Sequence, residues 1–389
     1  MHGRGIKMSD FIFKISQNIV LGTYTINRLA HYIKNFGDKF MVILDPVLKE
    51  VGVESKVLQP LLERKIEYFI YDNITDSANS KEIEQALSLA QNGHAHGIIA
   101  VGGAKAMLMG AAVAALANEK RSIYDYFEGS VPTAASIPLI CVPTTSRAPF
   151  IFGNSLPLVD SRSHQLKIVN TQDGVCKLVL WDSNLTVTLT ENQKSSIAIE
   201  TLCLAVESFL SQKASFFSDM LSEKSVELMK LAMDGSKSLE VTTPEETLLS
   251  QAGSLASIAA ATSSVGIAIL LSTTLNARYK ISKALVASIL FPYVIEDAKK
   301  YKAEKLKRIA VKMGASDENH SAEEAAQSFA DSIRQRLAKA NLPTRLKELS
   351  LTVDQLALVA EDAGQLDTMN GLPRSMTTDD LFDILKSAY

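Results

Sequence analysis

Ile98-Ile-Ala-Val101 runs directly into Gly102-Gly103 and then into an alanine-rich stretch from Ala104 to Ala117. A short, continuously apolar run bounded by glycine reads as a buried strand, and the alanine-rich stretch reads as a helix packed on it. Two glycines at such a junction let the chain turn tightly and bring helix N–H groups close to a ligand phosphate. Taken alone, the junction fits a turn kept for packing as well as it fits a nucleotide site.

Three further runs have the same character. Phe40-Met-Val-Ile-Leu44 ends at Asp45-Pro46, Tyr68-Phe-Ile-Tyr71 follows the helical period of Val57–Arg64, and Leu139-Ile-Cys-Val142 ends at Pro143. Apolar runs alternating with helices predict an α/β domain whose mostly parallel sheet is covered on both faces. Such sheets bind ligands beyond the carboxyl ends of their strands, here at Asp45, Gly102–Gly103 and Pro143–Thr145. After Asp182 the pattern changes. Thr190-x-x-Gln193 is a capping-box signature, and Ala, Leu, Lys, Glu and Ser dominate from there to Tyr389, with turns at Thr243-Pro244, Gly314, Leu342-Pro343 and Gly371-Leu-Pro373. The expected organisation is an N-terminal extension at 1–11, an α/β dinucleotide-binding-type domain at 12–182 and an all-helical domain at 183–389. With a second in-frame methionine at Met8, residues 1–7 fit an addition ahead of an alternative start.

Composition narrows the function classes. The chain has 389 residues, 47% hydrophobic and 21% charged, with a formal net charge of −3. That balance excludes a disordered chain and leaves no basic footprint for a nucleic-acid backbone. Cys141, Cys176 and Cys203 show neither a disulfide framework nor metal-type spacing, which suits a reducing cytoplasm, and no apolar leader follows Met1–Lys7. No charge occurs between Glu246 and Arg278, but Gln251, Gly253, Gly266 and repeated Ser and Thr interrupt that stretch. It reads as a buried pair of small-residue helices inside the helical domain, and no membrane association is expected.

Several segments in this order carry a family resemblance: Ile98–Gly103, Ser122-Ile-Tyr-Asp-Tyr-Phe127, Pro143-Thr-Thr145, Leu180-Trp-Asp-Ser-Asn-Leu-Thr186, Ile289-Leu-Phe-Pro-Tyr-Val294, and the tail from Leu372-Pro-Arg through Leu381 to Ala388-Tyr389. From about Ile12 to the end, the chain resembles the iron-containing alcohol dehydrogenases, with their relatives glycerol dehydrogenase and dehydroquinate synthase. The resemblance implies that fold, NAD(P) as cofactor, and self-association into a homo-oligomer. It also implies a divalent metal held by one Asp and three His of the helical domain, where it would polarise an alcohol or carbonyl oxygen before hydride transfer.

The ligand pattern, anchored on Glu207 and Pro292, falls on Glu200, Leu204, Ile269 and Lys283, and a further family histidine position falls on Thr273. Leu204 and Ile269 offer no lone pair, and Lys283 would repel a cation. The six histidines are His2, His31, His94, His96, His164 and His320, so none lies between Asp182 and Val311 and no shift of register supplies them. Neither iron nor zinc is expected. One expectation places a Glu200–Lys283 ion pair where the metal would stand; the other leaves the two residues solvated apart.

The cofactor loop also departs from the family. Gly102-Gly103-Ala104-Lys105 stands where the family has three glycines and a serine, and Leu108 and Ala111 take the places of an Asp and a Lys. The loop after Pro143-Thr144-Thr145 continues Ser146-Arg147-Ala148-Pro149-Phe150, whose Pro and Phe fill space a nicotinamide would need. Candidate cofactor contacts are Asp45 (a family acid on the adenosine side), Gly102, Gly103, Lys105, Thr144 and Thr145.

Three functions follow. The first is a catalytically inactive member, a pseudoenzyme with a binding, regulatory or assembly role. The second is a metal-independent NAD(P)-dependent alcohol or aldehyde oxidoreductase, with Lys283 or Lys280 polarising a carbonyl. The third is a binding protein that holds a phosphorylated metabolite or similar small anion with Lys105 and Arg147. Elsewhere, His94-Ala-His96 reads as an exposed loop pair, Cys176 and Cys203 as core residues, Glu207 as a carboxylate capping a neighbouring segment, and Lys299–Arg308 as a solvated basic face.

Overall fold

The computed structural model describes residues 15, 17–234 and 243–389, and only the backbone of 187 and 188. The expected 1–11 extension therefore lies outside the described residues. The four apolar runs form strands β2 (Lys39–Leu44), β3 (Glu67–Tyr71), β4 (Gly97–Gly102) and β5 (Leu139–Pro143). Four more strands join them: β1 (Asn18–Leu21), β6 (Ser155–Asp160), β7 (Gln165–Asn170) and β8 (Cys176–Trp181). Six of the eight make one sheet in the order β1-β8-β5-β4-β2-β3, every neighbouring pair parallel. Parallel neighbours need crossovers, and helices such as Val53–Glu63, Ser80–Asn92 and Ala104–Leu116 supply them on both faces. That is why β2, β4 and β5 are buried on both sides and read as unbroken apolar runs.

The register sets the ligand edge. Leu44 pairs with Val101 and Gly102 with Pro143, so Asp45, Gly103 and Thr144 leave the sheet side by side. Asp45 donates its N–H to Val101 O (3.1 Å), and Thr144 donates its N–H to Gly102 O (2.9 Å). Gly102 has φ +146°, and a Cβ there would stand 2.9 Å from the Cβ atoms of both Asp45 and Ala106. Only glycine fits this turn.

Beyond β8 the described chain is helical, beginning with a short 3-10 turn at Ser183–Thr188. The next helix, Glu191–Leu210, opens with the capping box read from Thr190 and Gln193. Helices Phe216–Asp234, Glu245–Thr262, Ile267–Tyr279, Lys283–Met313, Ala322–Lys339, Val353–Gly364 and Thr378–Ser387 share one core with it. The uncharged stretch is the Glu245–Thr262 and Ile267–Tyr279 pair, bent by 93° and mostly buried. No single described helix is long and apolar enough to cross a membrane.

The antiparallel hairpin β6–β7 stands apart from the main sheet and joins the two units. Leu156, Leu158 and Val169 belong to the α/β core, whereas Val159 and Leu166 belong to the helical one. A cleft opens along that seam.

Candidate functional site

The loop Thr144–Phe150 leaves the end of β5 and lies on the Glu245–Thr262 helix. A side chain at position 253 would overlap the Ser146 carbonyl, so Gly253 is what lets the loop settle on that helix. Ala148 donates its N–H to Ser257 Oγ (2.9 Å), and Ser257 Oγ donates to Gly253 O (2.6 Å). On its other side Ser146 Oγ shares a hydrogen bond with Thr201 Oγ1 (3.0 Å), and Trp181 Nε1 donates to Thr145 O (3.2 Å).

Fastened in this way, the loop delivers Arg147 to Glu200. The guanidinium Nη2 donates to Glu200 Oε2, and both side chains are buried, 8% and 6% exposed. Nη1 also donates to Thr145 Oγ1 (3.3 Å), while Arg147 Nε is buried without a described partner. This corrects the expected ion pair: the cation on Glu200 is Arg147, and Lys283 makes no described ion pair. Lys283, at the first turn of its helix, remains within electrostatic reach of Glu200, Arg147 and Lys105. Burial, with Arg147 and Lys105 adding to it and Glu200 opposing, pushes its ammonium down to about 8.

A lysine depressed in the folded state costs stability while it is charged. Between about 8 and 10.5 the unfolded chain binds the extra proton, so stability rises with pH across that window. Lys283→Leu is therefore expected to be at least as stable as the parent at pH 7, with its advantage shrinking as pH is raised from 8 toward 10. Urea unfolding at both ends of the window measures this, and a large loss at pH 7 would instead indicate a strong Glu200–Lys283 pair.

The other family ligand positions are apolar. Leu204 is fully buried in the helical core, and Ile269, 3% exposed, lines the interdomain cleft beside Thr273. Glu207, seven residues after Glu200, is buried and accepts the N–H groups of Ala268 (2.6 Å) and Ile269 (3.2 Å) at the start of the Ile267–Tyr279 helix, the capping role expected for it. Burial pushes its carboxyl up to about 8 against the pull of those donors. Among the described residues no group of three or more His, Cys, Asp and Glu could hold a metal ion. With one ligand-capable side chain, already taken by a guanidinium, these residues do not fit a family-type metal.

At the sheet edge, Lys105 ion-pairs with Asp45 (3.3 Å) and donates to Thr75 O (2.9 Å). Gly103 starts the Ala104–Leu116 helix without a side-chain cap, and its Cβ position is 3.6 Å from Thr145 Cγ2. Asp45, Gly102, Gly103, Lys105, Thr144 and Thr145 thus converge on one edge. Lys105 and Arg147 each have a carboxylate partner of their own, Asp45 and Glu200. Lys280 is a second correction: it ends the Ile267–Tyr279 helix in a left-handed turn, 64% exposed, 3.9 Å from Asp76 and outside the buried group.

His94 and His96 lie in the loop before β4, where His96 Nδ1 contacts Asp38 Oδ1 at 2.7 Å. The basic face is neutralised locally, Lys305 by Asp219 (3.0 Å), Lys300 by Asp297 (3.2 Å) and Arg308 by Glu223. Sequence reasoning missed Asp182, a buried carboxylate that accepts the N–H groups of Tyr24, Ile26 and Asn184 and ties the turn after β1 to the start of the helical unit. A lone Asp after an apolar run carries no signal of such long-range capping.

Comparison with known proteins agrees with this architecture. The family model described as "Iron-containing alcohol dehydrogenase" matches residues 16–183, and "Fe-containing alcohol dehydrogenase family, C-terminal" matches residues 196–389. The chain is 22% identical over 382 residues to lactaldehyde reductase of Escherichia coli (strain K12), covering 96% of this chain and 98% of that one. It is 24% identical to alcohol dehydrogenase 4 of Saccharomyces cerevisiae, covering 95% and 96%. A crystal structure of 1,3-propanediol oxidoreductase superposes with a TM-score of 0.90 at 19% identity, covering 98% of this chain and 100% of that one. Two family models that between them span nearly the whole described chain place it: the chain belongs to the iron-containing alcohol dehydrogenase family, with the family's oxidoreductase-type fold.

Proposed function

We propose that this family member has exchanged its catalytic metal for an internal cation and serves as a catalytically inactive, ligand-binding or regulatory form of an iron-type alcohol dehydrogenase. One observation carries the reading: the Arg147 guanidinium sits on Glu200, the only family ligand position with a carboxylate. A buried carboxylate needs a compensating charge, and a guanidinium supplies it with a fixed fork geometry while leaving no open coordination position for an alcohol oxygen. Nothing at Leu204 or Ile269 could complete a coordination sphere. Without a Lewis acid, the pKa of a bound alcohol stays far above neutral and alkoxide formation loses its main aid.

A second reading has its own support, a metal-independent NAD(P)-dependent reductase. The Gly102–Gly103 turn and the uncapped Ala104–Leu116 helix suit a pyrophosphate, with Asp45, Lys105, Thr144 and Thr145 around it. NAD(P)H would supply the hydride, and this chain's part would be to bind the dinucleotide and present a cation, Lys283, to a carbonyl. Several relatives carry the names of reductases, among them the sulfoacetaldehyde reductase of Bilophila wadsworthia, 23% identical over 97% of this chain.

Elemental analysis and thermal unfolding separate the two. The first reading expects no stoichiometric iron or zinc, shifts below about 1 °C with Fe²⁺, Zn²⁺, NAD(H) or NADP(H), and no aldehyde-dependent oxidation of NAD(P)H. A cofactor shift with turnover and no metal would favour the second. Stoichiometric metal that supports turnover would overturn both.

A further inference from the structure

The seam between hairpin β6–β7 and the bent helix pair holds a cleft of ≈ 200 Å³. Its walls are apolar: Phe150 from the α/β loop, Leu166 and Ile168 from the hairpin, and Val265, Ile269 and Leu270 from the helical unit. Ile269 stands where relatives would keep a metal ligand, so the cleft extends into space that a coordination sphere would otherwise claim. Among the described residues one charged side chain lines the cleft, Lys213, and no acid does.

Lys213 is an exposed side chain at this wall. Its Cδ lies 3.8 Å from the Cβ position of Gly371, whose carbonyl accepts hydrogen bonds from Ser211 Oγ (2.8 Å) and Ser264 Oγ (2.6 Å). The ammonium makes no described ion pair, unlike Lys105 and Lys305. A second polar group has no described partner: the Thr368 hydroxyl, part of the cleft wall, is buried without a hydrogen bond. A buried hydroxyl without a partner is costly and is normally satisfied by a bound molecule or an ordered water.

We propose that this cleft binds a small monocarboxylate, its apolar tail against Phe150, Val265 and Ile269 and its carboxylate between Lys213 and Thr368. One cation with no opposing acid selects a monoanion, whereas a phosphate dianion would need several donors. The volume of ≈ 200 Å³ holds on the order of seven non-hydrogen atoms, counting about 30 Å³ for each. A neutral alcohol of the same length fills the apolar part but leaves Lys213 unused, and an amine of that length meets the ammonium as a like charge. The proposal rests on the reading that no metal stands beside Ile269, and elemental analysis of the same preparation tests that reading separately.

Calorimetric titration of the full-length protein with hexanoate, 1-hexanol and hexylamine is the test. Hexanoate is expected to bind with a Kd near or below about 1 mM, at least roughly tenfold more tightly than 1-hexanol, with no binding of hexylamine. Lys213→Met changes an exposed residue and is expected to bring hexanoate and 1-hexanol within about twofold of each other. Ile269→Phe, which fills the cleft, is expected to weaken both ligands, with the unfolding midpoint recorded to show that the fold persists. Equal affinities for hexanoate and hexanol in the parent, no hexanoate binding, or a preference that survives Lys213→Met would each overturn the proposal.

Discussion

Arg147→Met is expected to destabilise the protein by about 3–5 kcal/mol, because it strands the Glu200 carboxylate in a buried site without its charge partner. The double variant Arg147→Met/Glu200→Met is expected to recover most of that loss, since an apolar pair of similar volume avoids the desolvation cost altogether. Urea unfolding of the parent, both single variants and the double variant closes the cycle. A single-variant cost below about 1 kcal/mol would mean that Glu200 finds water or another cation and that the pair is ordinary surface electrostatics. If instead the double variant is as unstable as Arg147→Met, the loss comes from the loop's packing and not from charge. Freeing Glu200 is not expected to create a metal site, because Leu204 and Ile269 still offer no donor atoms.

Gly253→Ala is the second large effect. In a helix interior alanine is favoured over glycine by about 1 kcal/mol, so propensity alone predicts a stabilised protein. Here the added methyl would overlap the Ser146 carbonyl, which is backbone and cannot rotate away. The loop must lift, breaking the Ala148 N–H to Ser257 Oγ bond and withdrawing Arg147 from Glu200. We expect a net loss of about 3 kcal/mol or more, at the upper end of overpacking effects. Thermal unfolding checks the sign, and a Tm at or above that of the parent would show that the loop does not pack tightly against Gly253.

Both experiments probe the same connection between the two units. The α/β loop, the Glu191–Leu210 helix and the Glu245–Thr262 helix meet around Ser146 and Arg147, so a change at Gly253 reaches Glu200 without touching it. The expected coupling between Gly253→Ala and Arg147→Met is therefore strong, since both remove one loop position.

Much of the fold was legible because its signals are local. β2, β4 and β5 are buried on both faces by crossover helices, so they appear as unbroken apolar runs, and the Thr190–Gln193 capping box marks its helix start directly. β1, β6, β7 and β8 were not read. β6 contains Pro157 and β7 alternates apolar and polar residues, as suits a hairpin set off the sheet that shares its side chains between two cores. β1 is a four-residue edge strand with Ile19 and Leu21 exposed, too short and too open to stand out. The strand order is carried by no local pattern, because it depends on which crossovers pass over which face.

The candidate site divides along the same line. The sequence by itself determined which atoms are present for coordination: no histidine occurs between Asp182 and Val311, and a ligand needs a lone pair at the right position whatever the packing. It also placed Glu207 as a cap and gathered the sheet-edge residues from Asp45 to Thr145. Only the tertiary structure decided which cation meets Glu200. Lys283 and Arg147 were both available by charge, and their pairing depends on how closely a loop can approach a helix. Gly253 removes the obstructing side chain, Ser257 and Thr201 hold the loop down, and Arg147 takes the carboxylate.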